Sequence, residues 1–318
     1  MQLMECVPNF SEGRDKTVID SIAGVISGID GVQIRDIDTG ADVNRTVITF
    51  TGKPDPVCRA AFAAIKLASE KIDMRYHKGL HPRIGSTDVC PFIPLKDISI
   101  SRAMKLVDDL ARRVGEELKI PVYLYEKSTP YSHRQNISNI RRGQYERMAE
   151  KMLLSDWKPD FGPQRMNDRA GATVIGVRDL LIAFNVNFAG NVLEEAKEIV
   201  SHIRWLRESG KLVYIKVMAW YLAQRNTTQV TMNLTNYKKT ALHDVYIEIG
   251  RFAKETGVRV TGSEIVGLVP ENALIDAGRY YAGGKHMNRD DTIKLAVNRL
   301  KLNDLYSFDI SKKILPGF

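Results

Sequence analysis

One order of elements occurs twice along these 318 residues, and it confines the chain to a layered α/β design. Residues 2–7 form a short apolar run. Residues 15–27 then place Val18, Ile19, Ile22, Val25 and Ile26 at helical spacing. Residues 32–38 and 46–51 are rich in β-branched side chains and flank the turn-forming Thr39-Gly40-Ala41-Asp42, which predicts a hairpin. An alanine-rich helix over 56–74 and a short apolar strand over 88–94 complete the set. A helix over 101–118 and a strand over 121–125 follow. The second half repeats the order: a strand over 180–187, a helix over 194–208, a hairpin of 213–222 with 228–235, a helical stripe of Leu242, Val245, Ile249 and Phe252, and a closing strand from 258. In the second hairpin strand Val230, Met232 and Leu234 alternate with Gln229, Thr231 and Asn233, a two-residue period.

Both halves therefore predict β-α-β-β-α-β, the ferredoxin-like or split βαβ motif. The expected fold class is α+β: two such subdomains, residues 1–178 and 179–318, with mainly antiparallel sheets. Their joint is expected within 171–179, after the loop 158–169. A substrate cleft or tunnel between or across the halves is the expected ligand site. The C-terminal stretch adds a helix over 289–300.

Composition narrows the function classes. The hydrophobic share of 44% and charged share of 26% exclude a disordered or fibrous chain. No apolar stretch approaches the ~20 residues of a membrane span, and the N-terminus lacks the layout of a signal peptide. A cytoplasmic protein without a membrane partner is expected. Cys6, Cys58 and Cys90 show no C-x-x-C spacing, which disfavours a disulfide scaffold or a zinc ribbon. The net charge of +8 is spread evenly, with 27 basic against 23 acidic residues in 1–178 and 19 against 15 in 179–318. No basic arm emerges, so no nucleic-acid partner is expected. The excess suits the approach of anionic small molecules.

Four segments carry candidate chemistry. In His77-Lys78-Gly79-Leu80-His81-Pro82-Arg83-Ile84-Gly85, two glycines and a proline disfavour a helix. The two histidines would share a side only on a helix, and no H-E-x-x-H occurs, so no metal is expected. The segment instead suits a loop presenting a histidine, which exchanges a proton near pH 7, with Lys78 and Arg83 to hold a carboxylate. Spacing alone describes an exposed basic loop equally well. In 161–171, glycines bracket a polar cationic loop, either a ligand loop or a linker between the halves. Asp36-Ile37-Asp38-Thr39-Gly40 with Asn44-Arg45 is a ligand site or a capped turn. The connection from Asn9 to Arg14 offers N–H groups to an anion or is a plain helix entry. No dinucleotide or P-loop fingerprint is present.

The stretches ECVPNFSEGR (5–14), GADVNRTVITFTG (40–52), IDMRYHKGLHPRIGSTDVCPFIP (72–94), PVYLY (121–125), DWKPDFGP (156–163), LIAFNVN (181–187), QVTMNLTNY (229–237) and GSEIVGLVP (262–270) resemble the formiminotransferase family. The resemblance implies transfer of a formimino group from N-formimino-L-glutamate to N5 of tetrahydrofolate, a co-substrate, in histidine breakdown. It implies a homodimer of two-subdomain chains. It assigns the catalytic histidine of the His-Pro-Arg triplet to His81, and folate contact to Gly162, Pro163, Gln164, Arg165, Met166, Asn167, Asp168, Arg169, Ala170 and Gly171. Asp38 is a candidate for stabilising the cationic amidine, Arg45 and Arg83 for substrate carboxylates, and Asn9 for further substrate contact. Two departures stand out. Leu80 replaces the glutamate of the usual HKGEHPR, and Met218-Ala219 replaces a more typical Ile-Gly. The chain is also too short to add a cyclodeaminase domain, so a separate downstream enzyme is expected. The alternatives are formyl transfer from N-formylglutamate and folate binding without turnover.

Overall fold

Proline has no N–H to give a ladder, and Pro8 accordingly splits the first strand. The computed structural model describes residues 2–315. Its first unit, which ends at Asp179, begins with β1 (Leu3–Cys6) and β2 (Asn9–Phe10). Then come α1 (Lys16–Ser27), β3 (Val32–Gly40), β4 (Arg45–Gly52), α2 (Pro54–Lys71), β5 (Thr87–Lys96), α3 (Ile100–Glu117) and β6 (Val122–Leu124). Asp15 caps α1 by accepting from the N–H groups of Thr17 and Val18, and Ser99 caps α3. β1 and β2 together fill one position between β4 and β5, antiparallel to both, and β3 pairs with the outer edge of β4.

A long excursion follows β6, with the short helices α4 (Ser132–Gln135), α5 (Ile137–Arg141) and α6 (Met148–Lys151). The chain returns as β7 (Thr173–Val177), which inserts parallel between β5 and β6. The sequence reading left these residues inside the joint. They are instead a fully buried strand, so the 158–169 loop lies within the first unit rather than between the two. α1, α2 and α3 cover one face of the sheet over Met4, Phe10, Phe50, Phe92 and Ile175. A smaller cluster of Ile84, Tyr123, Met148 and Val174 lies beneath the excursion.

The second unit begins at Leu180 and runs β8 (Ile182–Ala189), α7 (Leu193–Glu208), β9 (Ile215–Leu222), β10 (Thr227–Leu234), α8 (Leu242–Glu255) and β11 (Val260–Val266). Its sheet order is β11-β8-β10-β9, antiparallel throughout, which places the first and third strands in the middle as a split βαβ motif does. Val230, Met232 and Leu234 face the core with Phe184 and Phe188, in the alternation seen in the sequence. After the two-residue strand β12 (Val269–Pro270), α9 (Glu271–Ala282) and α10 (Arg289–Arg299) add to this core through Leu274, Ala277, Ile293 and Ala296. Among the described residues no helix is long and apolar enough to cross a membrane.

Candidate active site

The site is organised around a bulge. Asn9 pairs with Val89 but Phe10 pairs with Thr87, which makes Asp88 an extra residue in β5. Such bulges re-aim a side chain, and the Asp88 carboxylate is fully buried. Arg45 at the start of β4 donates from Nη1 at 2.9 Å, Arg141 at the end of α5 donates to the same oxygen, and the backbone N–H of Ile84 donates to the other at 3.0 Å. Burial alone would raise the pKa of Asp88, but the two guanidiniums outweigh it and hold the carboxyl far below the usual range. Burial lowers the Arg45 guanidinium to about 10, against the pull of Asp88. Asn9 completes the cluster, its Oδ1 accepting from Arg45 Nε at 3.0 Å and Nη2 at 2.8 Å. The candidates Asn9 and Arg45 thus hold each other, and the charge of Arg45 is directed at Asp88. Asp38 lies half-buried on β3, opposite Val47.

The segment 77–85 is a loop, as its glycines and proline predict. His81 is half-buried in it. Its Nδ1 lies 2.7 Å from the Pro82 carbonyl oxygen. A carbonyl only accepts, so in the neutral ring Nδ1 carries the hydrogen and Nε2 the lone pair. Burial pushes the His81 pKa well below 6.5, and Arg45 and Arg141 push the same way, while Asp88 and the Pro82 carbonyl oppose. His81 is therefore a neutral imidazole at neutral pH, with its proton-accepting nitrogen fixed. Leu80 is 51% exposed. A backbone carbonyl, not the residue at position 80, holds the ring.

His77 has both nitrogens engaged: Nε2 donates to the Asn44 carbonyl at 2.9 Å, and Nδ1 accepts from Arg83 Nε at 3.1 Å. Burial, chiefly, lowers its pKa. Arg83 corrects a sequence expectation. Its five N–H donors all have partners inside the chain: His77 Nδ1 and carbonyl, Gln144 Oε1, and both oxygens of Glu146 at 2.6 and 2.8 Å. The bidentate fork expected for a substrate carboxylate is closed on Glu146, and Arg83 becomes a residue that positions the histidine loop. Its hydrogen bonds hold the Glu146 carboxyl below its ordinary range.

Asn44 joins three segments from a left-handed backbone (φ 48°) that asparagine tolerates. Its side chain accepts from Gly13 N at 2.9 Å and donates to the Lys78 carbonyl at 2.9 Å. The N–H groups expected to be offered to an anion along 9–14 are largely taken: Ser11 N by Ser86, Gly13 N by Asn44, Arg14 N by Glu12.

The 162–171 loop meets the histidine loop directly. Gly85 and Gly171 form an antiparallel bridge, Ser86 N donates to Ala170 O at 2.8 Å, and Ala172 N donates to Ile84 O at 3.0 Å. Gly162 and Gly171 both have positive φ, 83° and 73°. Within the loop, Asn167 accepts from Ala170 N and donates to Lys119 O, Gln164 donates to Met152 O, and Arg169 donates to Glu70 O. The Tyr145 hydroxyl donates to Asp168 O. Gln164, Arg165, Asp168 and Arg169 are exposed, while Pro163 and Met166 are half-buried. Sequence reasoning missed Arg141, which bonds Asp88, Gln144 and Glu146, which bond Arg83, and Tyr145, whose N–H donates to Arg83 O in the histidine loop while its hydroxyl donates to Asp168 O. The signal was the charge-dense Arg141-Arg142-Gly143-Gln144-Tyr145-Glu146 run between two apolar segments. No group of three or more His, Cys, Asp or Glu able to hold a metal is present among the described residues.

A neutral imidazole whose Nδ1 holds the hydrogen can take a proton at Nε2, and His81 sits in the loop that meets the glycine-bracketed 162–171 segment. The comparison with known proteins gives the family. Residues 3–178 match the N-terminal subdomain of the formiminotransferase domain and residues 183–316 match the formiminotransferase domain, so the chain belongs to the formiminotransferase family. It is 46% identical to a glutamate formimidoyltransferase of Thermoplasma acidophilum over 88% of this chain and 92% of that one. It is 42% identical to another from Streptococcus pyogenes serotype M1, over 88% and 93%. A formimidoyltransferase-cyclodeaminase of Dictyostelium discoideum is 41% identical over 99% of this chain, which spans only 60% of that longer protein.

Proposed function

We propose that the protein is a glutamate formimidoyltransferase that moves the formimino group of N-formimino-L-glutamate to N5 of tetrahydrofolate, releasing L-glutamate. The observation that carries this reading is the neutral His81, its tautomer set by Pro82, in the loop that meets the 162–171 segment through Gly85 and Gly171, within a chain of this family. Relatives of similar length named glutamate formimidoyltransferase support the same activity. When N5 bonds to the electrophilic formimino carbon it becomes cationic, and His81 Nε2 takes its proton. The imidazolium then protonates the departing glutamate nitrogen. A base of depressed pKa suffices, because the proton comes from a cationic adduct far more acidic than a free amine. Such proton transfer contributes roughly 10²–10⁴-fold, and positioning of the two substrates supplies the remainder.

The cluster of Asn9, Arg45, Asp88 and Arg141 sets the local field, with Asp38 a candidate partner for the cationic amidine. The 162–171 loop is the folate-binding candidate. A place in histidine breakdown, a homodimeric state, a cytoplasmic location and a separate cyclodeaminase acting on the product belong to this proposal as well. The test is glutamate release by the purified protein with tetrahydrofolate and either N-formimino- or N-formylglutamate. Folate-dependent release from the formimino donor is expected. Release from the formyl donor alone would make the protein a formyltransferase. Folate binding with no release from either would make it a binding protein.

A further inference from the structure

Three stretches of the second unit, containing Asn185 and Asn187, Gln229, and Glu264, have no part in the mechanism above. They meet in one row of side chains across all four strands. Trp220 on β9 stands opposite Gln229 on β10, Gln229 opposite Asn187 on β8, and Glu264 on β11 opposite Asn185. Their chain neighbours Val186, Phe188, Val230 and Ile265 belong to the core, so the row lies on the face turned away from the helices.

The hydrogen bonds fix every amide in the row. Indole N–H only donates, so the Trp220 bond at 2.9 Å identifies Gln229 Oε1. Gln229 Nε2 then donates to Asn187 Oδ1 at 2.9 Å and to Glu264 Oε1 at 2.6 Å. Asn185 Nδ2 donates to the same Glu264 oxygen at 3.0 Å. Asn185 Oδ1 has no hydrogen bond among the described residues, and two further atoms are left over on the side chains that Gln229 Nε2 bonds. Asn187 Nδ2 has no partner among the described residues, on a side chain that is 3% exposed. Glu264 Oε2 likewise has no hydrogen bond, and its carboxylate no ion pair, among the described residues. Buried donors are rarely left unpaired. A row serving stability alone would close on itself, whereas this one ends in a donor and an acceptor flanking the same Gln229 nitrogen.

We propose that this row binds the lactam edge of a reduced pterin, with ring N3–H donating to Glu264 Oε2 and the C4 carbonyl accepting from Asn187 Nδ2. The inference rests on the folate reading above and names two residues that determine its specificity. A planar lactam offers a donor beside an acceptor, the complement of the two open atoms. In its cationic, amidinium form the formimino group offers donors only and would leave Asn187 unpaired, while the carboxylates of its glutamate would be repelled by Glu264.

The test compares binding of two stable reduced folates by calorimetry on the full chain: 5-formyltetrahydrofolate and its 4-amino counterpart, which carries a donor in place of the C4 carbonyl and lacks N3–H. A site built for a hydrogen bond rejects the analogue that cannot make it. Wild type is expected to favour the 4-oxo compound at least about tenfold. Asn187→Asp, which keeps the acceptor for Gln229 and removes the donor, is expected to shrink or reverse that ratio. Glu264→Gln is expected to raise the KM for tetrahydrofolate and leave that for the formimino donor unchanged. Equal wild-type affinity for the two compounds overturns the inference alone, whether or not the variants fold. An unchanged ratio in folded Asn187→Asp, or a rise only in the donor KM, also overturns it. Wild type that binds neither compound overturns the folate reading and this inference with it.

Discussion

A carboxylate without exposed surface needs partners, and Asp88 has two guanidiniums and a backbone N–H. Removing its charge strands Arg45 and Arg141 as buried cations. Asp88→Asn is expected to cost about 3–5 kcal/mol in denaturant unfolding. Because the folded pKa of Asp88 is depressed, its stabilisation is complete above the ordinary carboxylate range and is lost as pH falls through the folded value. The same cluster tunes His81. Arg141 lowers the affinity of His81 for a proton, so the acidic limb of kcat/KM should lie below pH 6.5 in the wild type. Arg141→Met should move that limb upward, and an unmoved or falling limb would remove Arg141 from the tuning. Leu80→Glu should shift the limb by less than ~1 unit, because position 80 is exposed and water screens it. Glu5 has the opposite sign to Asp88. Burial raises it to about 7, against Arg178 and Arg35. The folded state therefore holds a proton that the unfolded state has lost, and stability falls as pH rises from about 4.5 to about 7. Glu5→Gln should abolish that slope and gain about 3 kcal/mol at pH 8, read from unfolding curves across the range.

Among the elements, the contact between the histidine and glycine loops depends on backbone approach rather than side chains. A Cβ on Gly171 would sit 2.3 Å from the Ile84 carbonyl oxygen, at a φ of 73° that side chains disfavour. Gly171→Ala should cost more than about 1 kcal/mol and lower turnover, since Ile84 both meets this loop and bonds Asp88. Wild-type stability and turnover would show that the approach is not needed. Both hairpins and the flanking helices were legible because period-2 and period-3.6 patterns survive at the surface of a two-layer fold. β7 was not, because a strand buried on both faces shows a plain apolar run without alternation. α9 escaped because Pro270 precedes it and its buried side is mostly alanine and glycine, which gives little periodic contrast. The bulge at Asp88 has no sequence signature. It comes from two strands, β2 and β5, paired out of step by one residue.

For the molecule as a whole, the sequence located the histidine loop and the 162–171 loop, yet not that Gly85 and Gly171 join them. Nor could it tell which cations are committed: Arg83 is closed on Glu146, 63 residues away, and Arg45 on Asp88, 43 away. Pairings at such separations are made by the fold, and local spacing carries no record of them. Each unit has its own core, and the candidate catalytic residues all lie in the first. The proposed reaction is transfer of a formimino group with His81 Nε2 as the proton carrier. The most direct measurement is steady-state glutamate release from N-formimino-L-glutamate by wild type and His81→Ala, with tetrahydrofolate affinity measured in parallel. Strictly folate-dependent release by the wild type is expected. A fall of about 10²–10⁴ in kcat is expected for His81→Ala, with folate affinity nearly intact. Near-normal turnover by His81→Ala would contradict that role.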